Sequence, residues 1–415
     1  MRRKINLKIP FEVSLEILSP ISEKATALYS LLHLFVDAVC ALAMFGWLLE
    51  GNRGYQDLLL YNFSAFALQM PVGVLLDILL SKDRENTGGA QRRIPFLCAL
   101  SGVLLTIVGT SVHPFLAGIG NALFHVGGGV CVITEDFACR KRGAALGVFV
   151  APGALGLYIG AWIAKNGTGF LELACLIIFS FAMLLLLGVI YWIFRSGDKN
   201  RNAKSEKMTN TRVDVLKETS DGKNCVMEEI TDIKGCVLDK MADPEGRLTD
   251  GKTVVMALCC FLVVIIRSYV GMAVNFTWKT EAVWGTIAVL AVVFGKMAGG
   301  ILAAKYHLKK VIVWSLVLAS CGYLFSNSVF FGVAALFFFN MTMPITLYQL
   351  VCRMPELPGF SFGLLTFALF LGFLPVYFGI NPIVSGSVIG AAGSALSLLL
   401  LWTAIRFGGG RTGWK

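Results

Sequence analysis

His33 and Asp37 stand four residues apart inside an unbroken apolar stretch, residues 28–49, that reads LYSLLHLFVDAVCALAMFGWLL. On a helix that spacing stacks the imidazole and the carboxylate on one face. The stretch is long enough to cross a bilayer. A carboxylate at mid-depth costs on the order of 2.5–3.5 kcal/mol unless it faces protein, water or a partner. The chemistry open to such a pair is proton uptake and release. A carboxylate's hold on a proton depends on its burial and on neighbouring charge, and an imidazole can tune or relay that proton.

Further polar groups stand in other apolar runs: Asn121, His125, Arg267, Lys296 and Asn340. Asp37, His125, Arg267 and Asn340 each fall near the middle of a different run, as a site at the membrane midplane requires. The sharpest reading makes Asp37, with His33 and His125, a proton-coupling group. Arg267 would then pair alternately with Asp37 and with an anionic group of a substrate, using its fixed charge and fork of donors. Each residue also has a structural reading. Asp37 and Arg267 could be an ion pair that holds two parts of the molecule together. His33 could bond a backbone carbonyl, and Asn121 and Asn340 could join neighbouring helices. Lys296 reads better as a side chain that snorkels to the surface than as a cavity group.

The chain around these residues is a membrane protein by composition. Of 415 residues 56% are hydrophobic and only 15% charged, with mean hydropathy +0.72, whereas soluble chains carry roughly 25% charged residues. The net charge of +10 is no nucleic-acid signal, because the basic residues sit in short loops between apolar runs. Eleven cysteines form no CxxC pair and no His/Cys cluster of zinc spacing, so neither disulfide framework nor metal site is expected. Cys225 and Cys236 stand in a polar segment with no histidine near them.

Twelve runs are predicted to span the bilayer, over 28–49, 56–80, 94–112, 114–134, 143–164, 171–194, 253–275, 281–303, 309–327, 329–351, 360–379 and 382–406. The basic segment 1–27 precedes them and lacks the features of a signal peptide. Residues 195–252, with 12 basic and 12 acidic residues, read as a disordered cytoplasmic linker, and 407–415 as a tail. With the N-terminus cytoplasmic, the short loops and termini on that side hold 19 Lys/Arg, against Arg53, Lys165 and Lys279 opposite. This bias predicts cytoplasmic termini in the cell membrane. The linker divides the chain into six-helix bundles, 28–194 and 253–406. Internal similarity joins them: His33–Val39 lies over Arg267–Val274, and Gly73-Val-Leu-Leu-Asp77 over Gly300-Ile-Leu-Ala-Ala304. The fold class expected is an all-α membrane protein of twelve transmembrane helices in two six-helix pseudo-repeats.

On these features the chain resembles the major facilitator superfamily over all twelve runs. The family's loop 2–3 marker is matched by Gly73-Val-Leu-Leu-Asp77-Ile-Leu-Leu-Ser-Lys82-Asp-Arg84, with Leu80 and Ser81 standing where the family has glycine and arginine. More narrowly it is similar to the fosmidomycin-resistance branch, through His33-x-x-x-Asp37 and through Gly118-Ile-Gly120-Asn121-Ala-Leu-Phe124-His125. The usual Pro-Glu that follows is here Val126-Gly127. Gly147 to Gly160, with Pro152, Gly153 and Gly156, is similar to the glycine/proline motif of drug antiporters.

The resemblance implies that helices 1, 4, 7 and 10 line a central cavity. Gly73, Asp77, Lys82, Arg84, Pro152 and Lys296 are the expected gating residues, with Asp77 meeting a helix N-terminus or Arg140, Lys141 and Arg142. It implies proton-coupled efflux of a small molecule or drug by alternating access, in a monomer surrounded by lipid. No cofactor beyond the proton gradient, no nucleic-acid partner and no enzymatic activity are expected. An uptake symporter of a small organic solute, or a sensor or scaffold that keeps the fold without transporting, are the alternatives. A membrane acyltransferase would want His-x4-Asp near the interface, unlike the buried three-residue spacing here. Gly118-Ile-Gly120 lacks the strand and third glycine of a nucleotide loop.

Overall fold

The computed structural model describes residues 9–49, 54–86, 92–138, 141–218, 250–380 and 384–408, and every regular element among them is helical. The first bundle consists of α1 (Ile9–Ala43, continued as a wider turn over Met44–Leu48), α2 (Gly54–Lys82), α3 (Arg93–Val112), α4 (Pro114–Ala138), α5 (Ala144–Asn166) and α6 (Gly169–Glu218). The second consists of α7 (Gly251–Ala273), α8 (Ala282–Lys305), α9 (Leu308–Leu324), α10 (Val329–Arg353), α11 (Pro358–Tyr377) and α12 (Gly386–Gly408). Eleven of these are long and apolar enough to cross a membrane. The remaining one, α9, has 17 residues, roughly 26 Å of helix, and completes the twelve.

The helices at the first bundle's two ends run beyond the apolar stretches. The structure begins α1 at Ile9, so most of the 1–27 segment is continuous with the first membrane helix. The disorder expected of the linker from residue 195 is corrected over its first part, since α6 runs 50 residues to Glu218. A membrane helix already formed needs only propagation, which is far cheaper than nucleation, so a weakly amphipathic polar sequence can extend it. The rest of that linker (219–249), residues 1–8, the side chain of Arg84, Arg140 and the tail beyond Gly408 lie outside the described residues.

The two bundles repeat one packing scheme. In the first, α1 packs on α5 and α6, α3 on α4, and α2 on α4; in the second, α7 packs on α11 and α12, α9 on α10, and α8 on α10. Small residues set the close approaches. A Cβ at Gly156 or Gly160 of α5 would lie 2.2 Å from the carbonyls of Leu34 or Ala38 on α1, and one at Gly372 of α11 would lie 2.4 Å from Ile265 O on α7. Gly120 and Gly127 of α4 meet Thr106 N and Ala99 N of α3 in the same way, while Gly118 meets Ser64 and Tyr61 O of α2. Helix α4 is the most enclosed span, and α6 turns Ile177, Ile178, Phe181 and Trp192 outward as a lipid-facing surface requires.

The bundles meet through α2 with α11 and through α5 with α8. These pairs exchange places when the repeats are exchanged, so the interface has an approximate two-fold. On the face that carries the basic loops, here the basic face, Gly73 abuts Gly359 and Gly147 abuts Gly300. On the far face, Tyr55 and Tyr377 stack at 4.1 Å between centroids, and each hydroxyl donates to the other's carbonyl. Tyr158 and Thr286 share a hydrogen bond of 2.8 Å there. The bundles therefore touch at both faces and enclose what lies between them.

Candidate functional site

α1 and α4 bring the sequence-predicted proton group together. His33 Nε2 lies 3.2 Å from Asp37 Oδ2, as the four-residue spacing requires. His125 Nε2 lies 2.8 Å from His33 Nε2 and 3.6 Å from Asp37 Oδ1. Asn121, one turn before His125, donates to Asp37 Oδ1 at 3.1 Å and reaches Cys40 Sγ at 3.6 Å. His33, Asp37, Asn121 and His125 are all buried, none more than 7% exposed. α5 closes the side: a Cβ on Gly153 would fall 2.3 Å from His33 Nε2 and 2.5 Å from Asp37 Oδ2.

The outer nitrogens fix the tautomers. His33 Nδ1 lies 2.8 Å from Phe149 O, and His125 Nδ1 lies 2.9 Å from Asn121 O. A carbonyl only accepts, so both Nδ1 atoms carry hydrogen. Two neutral rings held in this way point lone pairs at each other across 2.8 Å. One proton placed between the Nε2 atoms converts that repulsion into a charge-assisted hydrogen bond, with Asp37 as counter-ion. The three donor atoms lie within 4.8 Å of one another, so the trio can close around one small cation, and a proton satisfies it. No short-range motif announces this set, because its members come from helices 92 residues apart in sequence.

α5 breaks at Ala151, just before Pro152. The last carbonyls before the break are the ones used: Phe149 O accepts from His33, and Val150 O accepts from Lys296 Nζ at 3.4 Å. Proline cannot donate to the carbonyl four residues before it, and the helix is interrupted beside the two carbonyls that the side chains engage. Lys296 thus overturns the snorkelling reading. It turns inward from α8, where the structure sets it in charge–charge range of Asp37, Arg267 and His125.

Arg267 is not the partner of Asp37. It is 7% exposed, yet no hydrogen bond or ion pair among the described residues engages it, and its Nη1 is enclosed without an acceptor. In this arrangement the Asp37–Arg267 pair is therefore not formed, since equal depth along two helices fixes neither azimuth nor distance across the interface. Asn340 bonds within its own helix rather than to a neighbouring one: its amide donates to Leu336 O at 2.9 Å, at the break in α10 before Thr342.

The gating residues separate. Asp77 Oδ1 accepts from Gly359 N at 2.9 Å and Oδ2 from Phe360 N at 2.7 Å, so a carboxylate of the first bundle caps α11 of the second. Of the two contacts expected for Asp77, the structure therefore has the helix N-terminus. The corresponding start of α5 is capped from within its own bundle, by Asp136 on Gly143 N and Ala145 N. Lys82 is exposed on the basic face. Asp77→Ala is expected to remove about 1–2 kcal/mol from the closed basic face, as the loss of a cap does. Labelling of a cysteine placed behind the Gly73–Gly359 contact should then accelerate about 5–30-fold.

Comparisons of the whole chain find likeness in fold alone. A major facilitator superfamily transporter, FucP, in the outward conformation, aligns with a TM-score of 0.50 and 12% identity, covering 92% of this chain and 98% of that one. A single-site variant of the E. coli fucose:proton symporter FucP gives 0.52 at 13% identity, over 95% and 99%. No protein-family model and no curated protein matches the chain. Two six-helix bundles with one repeated packing scheme, and likeness to these structures over nearly the whole of both chains, establish that this chain has the major facilitator fold.

Proposed function

We propose that the chain is a proton-coupled secondary active transporter of a small molecule, working by alternating access in the cell membrane with both termini cytoplasmic. The observation that carries this reading is the facing pair of Nε2 atoms, His33 and His125, 2.8 Å apart above Asp37. Such a pair takes one proton, and its geometry depends on holding it. The proton is carried by the pair with Asp37 as counter-ion, rather than by Asp37 alone. His33 hangs from Phe149 O, and the next carbonyl, Val150 O, holds Lys296 of the other bundle. Loss of the proton would therefore be felt where the bundles meet. A scaffold or sensor has no use for a buried proton pair linked to a bundle interface.

The direction that the resemblance to the fosmidomycin-resistance branch suggests is efflux, by exchange against protons. Its support is residue-level: the His33–Asp37 and Gly118–His125 motifs, and the antiporter-like glycines of α5, one of which, Gly153, touches the proton pair. Uptake by symport is the second reading, favoured by the charge balance argued below. The energy source in both is the proton gradient, with no other cofactor.

The test is reconstitution of the full chain into liposomes with a pH dye inside. An imposed solute gradient should move protons, and a protonophore should collapse any solute accumulation driven by a pH gradient. Solute accumulation indifferent to the pH gradient would sink proton coupling.

A further inference from the structure

We propose that Arg267 and Lys296 form the binding site for the negatively charged head of the transported solute, a small organic carboxylate, and that this anion moves together with the proton. The inference rests on the transport reading and names its substrate class.

Arg267 carries a charge it cannot discard. Enclosing such a charge without a partner is strongly unfavourable, and among the described residues its Nη1 is enclosed with no acceptor. Asp37, the one carboxylate at the centre among the described residues, is already committed to His33, His125 and the Asn121 amide. Lys296 makes matters worse, since it stands in charge range of Arg267 with only one long bond of its own, 3.4 Å to Val150 O. Among the described residues the centre thus sets the fixed charge of Arg267 and the ammonium of Lys296 against the one carboxylate of Asp37. A bound anion supplies the missing charge.

The fork of a guanidinium matches a planar head with two oxygens and engages it with two parallel bonds. A carboxylate has that shape, and Lys296 offers spare donors beside it. Both groups come from the second bundle, on α7 and α8, whereas the proton pair belongs to the first. Lys296 reaches across to α5, so substrate and proton sites adjoin through one side chain.

The sign of the coupling follows from the charges. A proton on the His33–His125 pair raises the positive potential at the anion site, and a bound anion favours that proton to the same extent. Ligands that favour each other's binding are carried together, whereas exchange requires that they exclude each other. An anion at Arg267 therefore points to symport.

The test uses the purified full chain and the probes acetate, lactate and benzoate, with acetamide, lactamide and benzamide as neutral matches and chloride as a simple anion. At least one carboxylate should raise the melting temperature, more strongly at acid than at alkaline pH, while its amide and chloride do not. Arg267→Gln should weaken that binding about 10–100-fold, as expected for the loss of a charged hydrogen bond. Arg267→Lys, keeping charge without the fork, should recover part of it. Lys296→Gln should weaken it several-fold and serves as the second variant if Arg267→Gln does not fold. Stabilisation by no carboxylate, equal stabilisation by the amides, or unchanged binding in both glutamine variants would overturn the proposal. Carboxylate binding without any proton-linked flux would keep the anion site and sink the transport reading. Proton-driven flux of a neutral solute with no carboxylate binding would do the reverse.

Discussion

Asp37→Asn is expected to reduce proton-driven transport at least about 100-fold while leaving substrate exchange within a few-fold of the wild type. The amide keeps the shape of the carboxylate, and its oxygen can still accept from Asn121 at the position of Oδ1, 3.1 Å away. What it lacks is the charge. A shared proton between His33 and His125 leaves one positive charge in a buried site, and Asp37 is the group that balances it at 3.2 and 3.6 Å. Removing one partner of a buried pair costs about 3–5 kcal/mol, and a factor of 100 in proton occupancy needs only about 2.7 kcal/mol of that. The variant's site therefore stays unprotonated over the working range.

The pH dependence follows with its sign. Proton occupancy of the wild-type pair falls as pH rises, so its coupled flux falls when the loading side is made alkaline. The variant's exchange should be flat across the same range. Counterflow measured beside dye-reported proton movement separates the two quantities. A variant that still accumulates solute against a gradient, driven by pH, would remove Asp37 from the proton site.

The span pattern was legible because long apolar runs admit only one structure in lipid, and apart from the start of α1 and the end of α6 the observed helix ends fall within a few residues of the runs. The His33–Asp37 contact was legible as well, being set by the rise and twist of a single helix. The same cannot hold for His33 with His125, whose contact depends on how α1 and α4 rotate about their own axes. Counting residues from the membrane surface gives depth and leaves rotation open. That is why Arg267 was matched to Asp37 on depth, while Lys296, read as snorkelling, is the cation that reaches across to the first bundle. The carbonyls of Phe149 and Val150 were invisible for another reason. They are backbone groups made available by a break at Ala151, and only the Pro152 that accompanies the break could be noticed in the sequence.

Gly359→Val is expected to abolish transport, to below about 1% of the wild type, by holding the basic face open while both bundles stay folded. In the closed arrangement a Cβ at this position would lie 2.5 Å from Gly73 O and 2.9 Å from Asp77 Oδ1. The first obstacle is backbone and cannot swing aside. The second is the carboxylate that caps Gly359 N and Phe360 N, so the intruding carbon also displaces the bonds that favour closure. The contact joins different bundles, so neither bundle's own packing is disturbed and membrane expression should stay near normal.

The approximate two-fold extends the prediction to the other interface. Gly300→Val should behave alike, since its Cβ would meet Gly143 O at 2.8 Å and Gly147 Cα at 2.9 Å. Gly188→Ala in α6, where nothing lies within 4 Å, is the silent control. The readout is the rate at which half-buried Cys352, near the basic end of α10, reacts with a membrane-impermeant maleimide added at that face. It should rise about tenfold or more in both valine variants, while the far face stays shut by the Tyr55–Tyr377 pair. Unchanged labelling together with normal transport would mean that these glycines do not meet during the working cycle, and α2–α11 and α5–α8 would lose their place as its moving contacts.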